Sequence, residues 1–427
     1  MRLATSIGLA TAMLLMGTAA VIAAAPGTPD AQLKPEERWV RIWGAAMMAP
    51  EEFDYYPGLG RSFHNVTLRQ IVVVNLGGKT LRVQISNQYG SRALRIGAAR
   101  VARVDPASRT VASPDAPPRT IASSDRELLF HGERSVVLPA GSVMFSDAFQ
   151  LDVAAGTSLA ISLYLPDSTA NSTSTVHEEG WRLGYVSTAG DHCAAADFPV
   201  GAELQSMYYI AGVDVVSTGN AATVVALGDS ITDGTGATPH AGRTWPDNLS
   251  KRLSAASPGR FAVINMGIGG NRLIHAETGP SALARVDRDV FAIPGVRYLL
   301  ILEGINDIAG WPEHPEQDVS AGDVIGALTQ LADRAHLRGL RVMGATMTPT
   351  LGCPDCGGEK GEEIRQAVNT WIRSGAPYDA IVDFDLVVSD PAEPRRLKAE
   401  FDCGDHLHLS DAGYRAVAAA IDLSFFR

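Results

Sequence analysis

The sequence predicts two folded units: an all-β sandwich or jelly-roll-like domain over 26–219, then an α/β domain over 220–427 whose five-stranded parallel sheet is covered by helices on both sides. Three observations predict it. A length of 427 residues exceeds the usual single domain. From Trp39 to Val216 the chain runs in short apolar segments broken by Gly, Pro, Asn and Asp, with no helix-length amphipathic stretch. After Thr218-Gly219-Asn220 the pattern becomes strand then helix, repeated.

Residues 1–25 read as a signal peptide. Arg2 precedes an apolar stretch from Ile7 to Ala24, and Val21-Ile22-Ala23-Ala24-Ala25 before Pro26 supplies a small-residue cleavage context. A membrane anchor is the rival reading, but Gly8, Gly17 and two threonines interrupt the stretch and no stop-transfer charge cluster follows it. The expectation is a secreted or periplasmic protein with no stable membrane insertion after the leader is removed. A formal net charge of -11, a pI near 5.4 and the lack of a basic run argue against nucleic acid as a partner.

In the first half, Leu81-Arg82-Val83-Gln84-Ile85-Ser86 and Leu159 to Leu165 alternate, so each puts one face in a core and one in water. Ile71 to Val74 is uniformly apolar, as in a strand covered on both faces. Tyr55-Tyr56 and Tyr208-Tyr209 are either half-buried sheet residues or platforms for sugar rings. Asn65-Val66-Thr67 and Asn171-Ser172-Thr173 match the glycosylation pattern.

In the second half the predicted strands are 223–227, 261–266, 296–303, 341–347 and 380–386. The predicted helices lie near 245–254, 282–291, 323–337, 362–373 and 411–425. Ligands of such a sheet bind beyond the carboxyl ends of the strands. Ser230, Gly270 and Asn306 follow the first, second and third strands.

Gly228-Asp229-Ser230 therefore reads as a nucleophile turn. A serine hydroxyl needs a base, a group to orient that base, and donors for the developing oxyanion. Asp405-His406-Leu407-His408 offers both acid and base, with Asp405 three residues before His408, so that one turn brings the carboxylate to the ring nitrogen facing away from Ser230. The backbone NH groups of Ser230 and Gly270 and the amide of Asn306 are the expected oxyanion donors. The competing arrangement uses His406 as the base, with Asp402 four residues before it as the orienting group. Asp229 and Asp307 read as loop-holding acceptors, and Glu303 as a strand-end carboxylate that is solvated or bonded to a loop. His240, His275, His314 and His336 have no partner at metal spacing.

Four cysteines, Cys193, Cys353, Cys356 and Cys403, suit an oxidising compartment. Three disulfide pairings are open. A four-cysteine zinc site is disfavoured because Cys193 and Cys403 are isolated, and a thioredoxin-like role for Cys353-Pro354-Asp355-Cys356 because no helix-opening context surrounds it.

Four segments taken together resemble the SGNH/GDSL family of serine hydrolases: Gly228-Asp229-Ser230-Ile231-Thr232-Asp233-Gly234, Asn265-Met266-Gly267-Ile268-Gly269-Gly270-Asn271, Gly304-Ile305-Asn306-Asp307, and Asp405-His406-Leu407-His408 with the following Leu409-Ser410-Asp411-Ala412-Gly413-Tyr414. The resemblance implies a three-layer flavodoxin-like fold, ester hydrolysis through an acyl-enzyme without metal or cofactor, and a shallow site for varied esters. The upstream β region is more loosely similar to the jelly-roll-like partner of some secreted members. Position 232 is Thr, so the Gly-x-Ser-x-Gly elbow of α/β-hydrolases is absent. The expected activity is removal of short acyl groups, acetyl first, from a small-molecule or carbohydrate ester. The rivals are a lysophospholipase or arylesterase using the same residues, and a carbohydrate-binding module with a degenerate hydrolase half.

Overall fold

The computed structural model describes residues 33–50, 62–108, 117–178, 184–310 and 314–427. The leader over 1–25 and Tyr55-Tyr56 lie outside the described residues.

The strand ladders of the first half are antiparallel. One sheet orders Glu37–Gly44, Ile210–Thr218, Gly78–Asn87 and Ser142–Phe145, with Phe149–Val153 also on Gly78–Asn87. A second orders Val200–Leu204, Gly184–Ala189, Val66–Val73, Ser158–Leu165, Ala98–Arg103 and Arg126–Glu127. Leu81, Val83 and Ile85 are buried while Arg82 and Gln84 are half-buried, as the alternation predicts, but Ser86, expected to face water, is buried as well. Ser158–Leu165 departs from its pattern, because Ala160 and Ser162, expected to face water, are buried. The physical reason is a covering loop: the buried Arg69 donates to Ser162 Oγ (2.9 Å) and to the carbonyls of Cys193 (3.0 Å) and Ala195 (2.8 Å), and stacks on Phe198 at 4.4 Å. Tyr208 and Tyr209 are core residues, each only 1% exposed, so neither offers a ring to a sugar.

The second half is the expected doubly covered parallel sheet. Its strands are β1 (Ala222–Gly228), β2 (Phe261–Gly267), β3 (Val296–Leu302), β4 (Arg341–Ala345) and β5 (Ala380–Val382), in the order β2-β1-β3-β4-β5. This is the flavodoxin-like order, which turns back on itself beside β1. All of β1 is buried, as a central strand with helices on both faces must be. Its helices are α1 (Ser230–Asp233), α2 (Trp245–Ala256), α3 (Ala282–Val286), α4 (Ile305–Ile308), α5 (Ala321–Leu337), α6 (Gly358–Ser374), α7 (Phe384–Val388) and α8 (Asp411–Ala420). No helix among the described residues is long and apolar enough to cross a membrane.

Several element ends differ from the sequence expectation, and caps explain most of them. The last strand, expected to reach Leu386, stops at Val382 because Asp383 caps α7 by accepting from Leu386 N at 3.1 Å. The final helix, expected to reach Phe425, stops at Ala420; Asp422 then caps the separate turn Leu423–Phe425. The helix of 282–291 changes at Asp287 into a wider π turn. Helix α5 starts before Asp323 because Ser320 and Asp323 form a reciprocal capping box.

The two halves share one continuous apolar core. Thr223 Oγ1 at the start of β1 donates to Arg41 O (3.0 Å) and Pro294 O (2.9 Å), and Asn75 Nδ2 donates to Val263 O of β2 (2.5 Å). The β half is therefore seated directly on the parallel sheet.

Candidate active site

Register explains why residues far apart in sequence meet. Gly228 lies opposite both Gly267 and Leu302, so β1, β2 and β3 end at one level and the loops after them open at one edge of the sheet. Ser230 begins α1, Gly270 follows β2, and Asn306 lies in α4. Gly228 has a steric reason to be glycine, since a Cβ there would sit 2.4 Å from Leu302 O. Gly270 has two, a φ of +72° and a Thr278 Oγ1 that would lie 2.6 Å from any Cβ.

Ser230 Oγ lies 2.8 Å from His408 Nε2, and His408 Nδ1 lies 2.6 Å from Asp405 Oδ2. An ionised carboxylate only accepts, so Nδ1 carries the ring proton and Nε2 is the basic nitrogen facing the serine. Partial burial would raise the Asp405 carboxyl, but its bonds to the His408 ring and to the backbone NH groups of His408 (2.8 Å) and Leu407 (2.9 Å) outweigh this and hold it well below the usual carboxylate range.

The rival pair also forms. Asp402 Oδ2 lies 2.6 Å from His406 Nδ1, in addition to the Asp405–His408 contact rather than in place of it. His406 does not line the Ser230 pocket: its φ is +66°, and its ring packs against Gly352, where a Cβ would meet Cγ at 3.1 Å. The 402–408 segment thus holds two acid–imidazole pairs, one of which touches the serine.

The expected oxyanion donors border a pocket of about 330 Å³ that Ser230 and His408 also line. Asn306 Nδ2 donates to Asn271 O (2.8 Å), and Asp307 accepts from Leu273 N (2.6 Å) and Ile274 N (3.0 Å), pinning the Asn306 turn to the Gly270 loop. Asp229 accepts from Ile231 N at 2.9 Å. Both aspartates hold loops, as their sequence context suggests. Burial pushes Asp229 up to about 7 against the pull of the Ile231 NH and His408.

Glu303 is neither solvated nor in the pocket. It is buried, accepts from Gly304 N (3.0 Å) and faces Arg285 at 3.7 Å, and burial together with Asp229 holds its carboxyl well above the normal range despite Arg285. Sequence reasoning passed over Arg285, whose buried guanidinium donates to Gly228 O (2.9 Å), Met266 O (2.7 Å) and Asn271 Oδ1 (2.9 Å). One side chain therefore gathers the ends of β1 and β2 and the loop carrying Gly270. Met48, His177 and Glu178 of the β half also line the pocket and were likewise unread, because nothing in their local sequence marks them.

Cys353 and Cys356 form a disulfide, while Cys193 is buried and Cys403 exposed, each with a free thiol. The four cysteines do not come together as one cluster among the described residues. Asp402, Cys403 and Asp405 bring possible ligand atoms within 4.8 Å of one another, but the carboxylates are engaged by His406 and His408, and burial with Asp405 pushes the Cys403 thiol up to about 11. His314 and His336 rest on Glu316 (3.3 Å) and Asp379 (3.0 Å), and with His240 and His275 they join no metal-ligand cluster among the described residues.

The sequence profile of the GDSL-like Lipase/Acylhydrolase family matches residues 226–416, the span that carries every one of these loops. Residues 226–416 belong to the GDSL-like lipase/acylhydrolase family. The chain is accordingly a carboxylic ester hydrolase, its GDSL-like domain built on the parallel sheet. Similar solved structures include a GDSL-like lipase from Bacteroides thetaiotaomicron (18% identity, 48% of this chain and 87% of that one, TM-score 0.36) and an acetyl xylan esterase from Geobacillus stearothermophilus (22%, 47% and 93%, 0.35). An alpha/beta hydrolase enzyme from the metagenome of Lake Arreo, Spain, is similar at 23% identity over 47% of this chain and 94% of that one, with a TM-score of 0.35. Among curated proteins none matches the sequence.

Proposed function

We propose that the chain is an exported serine esterase that removes short acyl groups, acetyl foremost, from small-molecule or carbohydrate esters. The observation that carries this reading is the unbroken Asp405–His408–Ser230 hydrogen-bond chain opening on a pocket that Gly270 and Asn306 also line. In this reading 1–25 is a removed leader, 26–219 the β domain and 220–427 the hydrolase domain, a division supported by the change from antiparallel to parallel pairing between Ile210–Thr218 and Ala222–Gly228. The Cys353–Cys356 disulfide supports an oxidising compartment.

In the first step Ser230 Oγ attacks the ester carbonyl carbon while His408 Nε2 takes the hydroxyl proton. The negative charge collects on the former carbonyl oxygen, where the NH groups of Ser230 and Gly270 and the Asn306 amide donate. An amide nitrogen carries two protons, so anchoring on Asn271 O and donating to an oxyanion are compatible. Collapse breaks the carbon–alkoxide bond, and His408 returns the proton to the departing alcohol. Water, deprotonated by His408, then adds to the acyl carbon; collapse breaks the bond to Ser230 Oγ, His408 returns the proton to that oxygen, and the free acid leaves.

The fully buried Met48 walls the pocket beside Ser230, and this wall supports short acyl groups. The test is a p-nitrophenyl ester series from acetate to decanoate. The expected result is a maximum in kcat/KM at two to four carbons, falling by about tenfold or more at eight carbons as the extra methylenes find no room. A rising series would assign a long-chain lipase. Asn306→Ala is expected to lower kcat on the acetate by about 10²-fold or more with little change in KM, because its donor bond strengthens in the transition state. A KM increase at constant kcat would make Asn306 a ground-state binder.

A further inference from the structure

We propose that His177, from the β half, is a positioning residue for the nucleophile, acting through Asp233 on the turn that begins at Ser230; this rests on the reading of Ser230 as the nucleophile. Helix α1 is only the four residues Ser230–Asp233. One helical turn does not hold itself in place, since fixing its dihedrals costs more than its few internal hydrogen bonds return. Its position is set by outside anchors. Asn265 Nδ2 donates to Thr232 O (2.7 Å) and Asp233 O (3.1 Å), and Trp245 Nε1 to Thr232 Oγ1 (3.4 Å). These come from the parallel-sheet half. His177 anchors the same turn from the other side, with Nε2 3.2 Å from Asp233 Oδ1.

Proton counting makes this contact firm. His177 Nδ1 lies 3.0 Å from Ala46 O, a carbonyl that can only accept, so Nδ1 carries a proton. One further proton then lies between Nε2 and Asp233 Oδ1, either as imidazolium with carboxylate or as imidazole with carboxylic acid. Either form makes the pair neutral, which suits side chains that are buried at 8% and 5% exposure. The imidazole is backed by a rigid frame, since Met48 and Val176 exchange backbone bonds of 2.7 and 3.0 Å beside it. The pair is also a partition: the Ser230 pocket and a neighbouring cavity of about 60 Å³ beside Trp43 and Asn265 share two lining residues, His177 and Asp233. Losing the contact would free the end of α1 and join two spaces behind the nucleophile.

Two substitutions separate the two ring nitrogens. The amide nitrogen of His177→Asn falls where Nδ1 was and keeps Ala46 O, whereas that of His177→Gln reaches the Nε2 position and keeps Asp233. His177→Asn is expected to lower kcat on p-nitrophenyl acetate by about 10- to 100-fold with KM within about twofold, the signature of a misplaced reacting group, and to slow fluorophosphonate labelling in proportion. His177→Gln is expected to recover most of the rate. Equal kcat in His177→Asn and the unmodified chain, or a KM rise at unchanged kcat, overturns the positioning role. Thermal unfolding checks that both fold; if they do not, Asp233→Ala removes the contact from the other side, with the same loss of kcat expected and an unchanged kcat overturning the proposal. A wild-type chain that takes no label overturns the nucleophile reading itself, whereas a labelled wild type with an equally fast His177→Asn overturns the positioning role alone.

Discussion

Replacing Ser230 with alanine is expected to lower turnover of p-nitrophenyl acetate by about 10⁶-fold and to abolish labelling by a fluorophosphonate. The loss is large because the covalent route disappears as a whole: with no Oγ at 2.8 Å from His408 Nε2, the base has no hydroxyl to activate and no acyl-enzyme forms. Binding and the oxyanion donors persist, so residual catalysis of about 10³ to 10⁴ over water remains. The substitution removes one oxygen at the mouth of a pocket, and α1 keeps its Asp229 cap and its Asn265 anchor, so the melting temperature is expected to hold. Turnover within tenfold of the unmodified chain, or undiminished labelling, would place the nucleophile elsewhere.

Asp405→Asn is expected to cost about 10⁴-fold in kcat, by a route that leaves the packing intact. The carboxylate accepts from His408 Nδ1 at 2.6 Å, which keeps Nε2 unprotonated and able to accept from Ser230. An amide in that place turns its NH₂ toward Nδ1, the ring proton moves to Nε2, and the imidazole then presents a donor to a hydroxyl that needs an acceptor. The Asp402–His406 pair is the internal control, because it has the same 2.6 Å contact without touching the serine. Asp402→Asn and His406→Ala are each expected to change kcat by less than about tenfold, while His408→Ala falls with Ser230→Ala. Equal losses at Asp402 and Asp405, measured on the same ester, would move the second pair into the chemistry.

The motif segments already carried the ingredients of this site in their residue types. Gly-Asp-Ser after an apolar strand, a glycine after the next strand, Asn306 after the third, and an acid three residues before an imidazole are local features, legible because β-strand and cap patterns are local. The choice between Asp402–His406 and Asp405–His408 was not local. Both spacings allow the acid to reach the ring, both pairs form, and what separates them is that His408 Nε2 meets Ser230 Oγ at 2.8 Å while His406 packs against Gly352. Glu303 was legible in part: it bonds to the loop at Gly304 N, as a strand-end carboxylate can, but its burial opposite Arg285 depends on a partner that its local sequence does not announce.

Periodicity and spacing were enough to establish the two halves, the parallel sheet and the residue types gathered at its edge, because each depends on contacts within a few residues or on one repeating face. The contributions of Met48, His177 and Arg285 emerged from the folded chain alone. Each reaches the Ser230 turn or its neighbouring loops across a long stretch of sequence, through hydrogen bonds and packing that no nearby residue announces. A strand pattern says which face is buried, but the partner it is buried against is chosen by the whole fold.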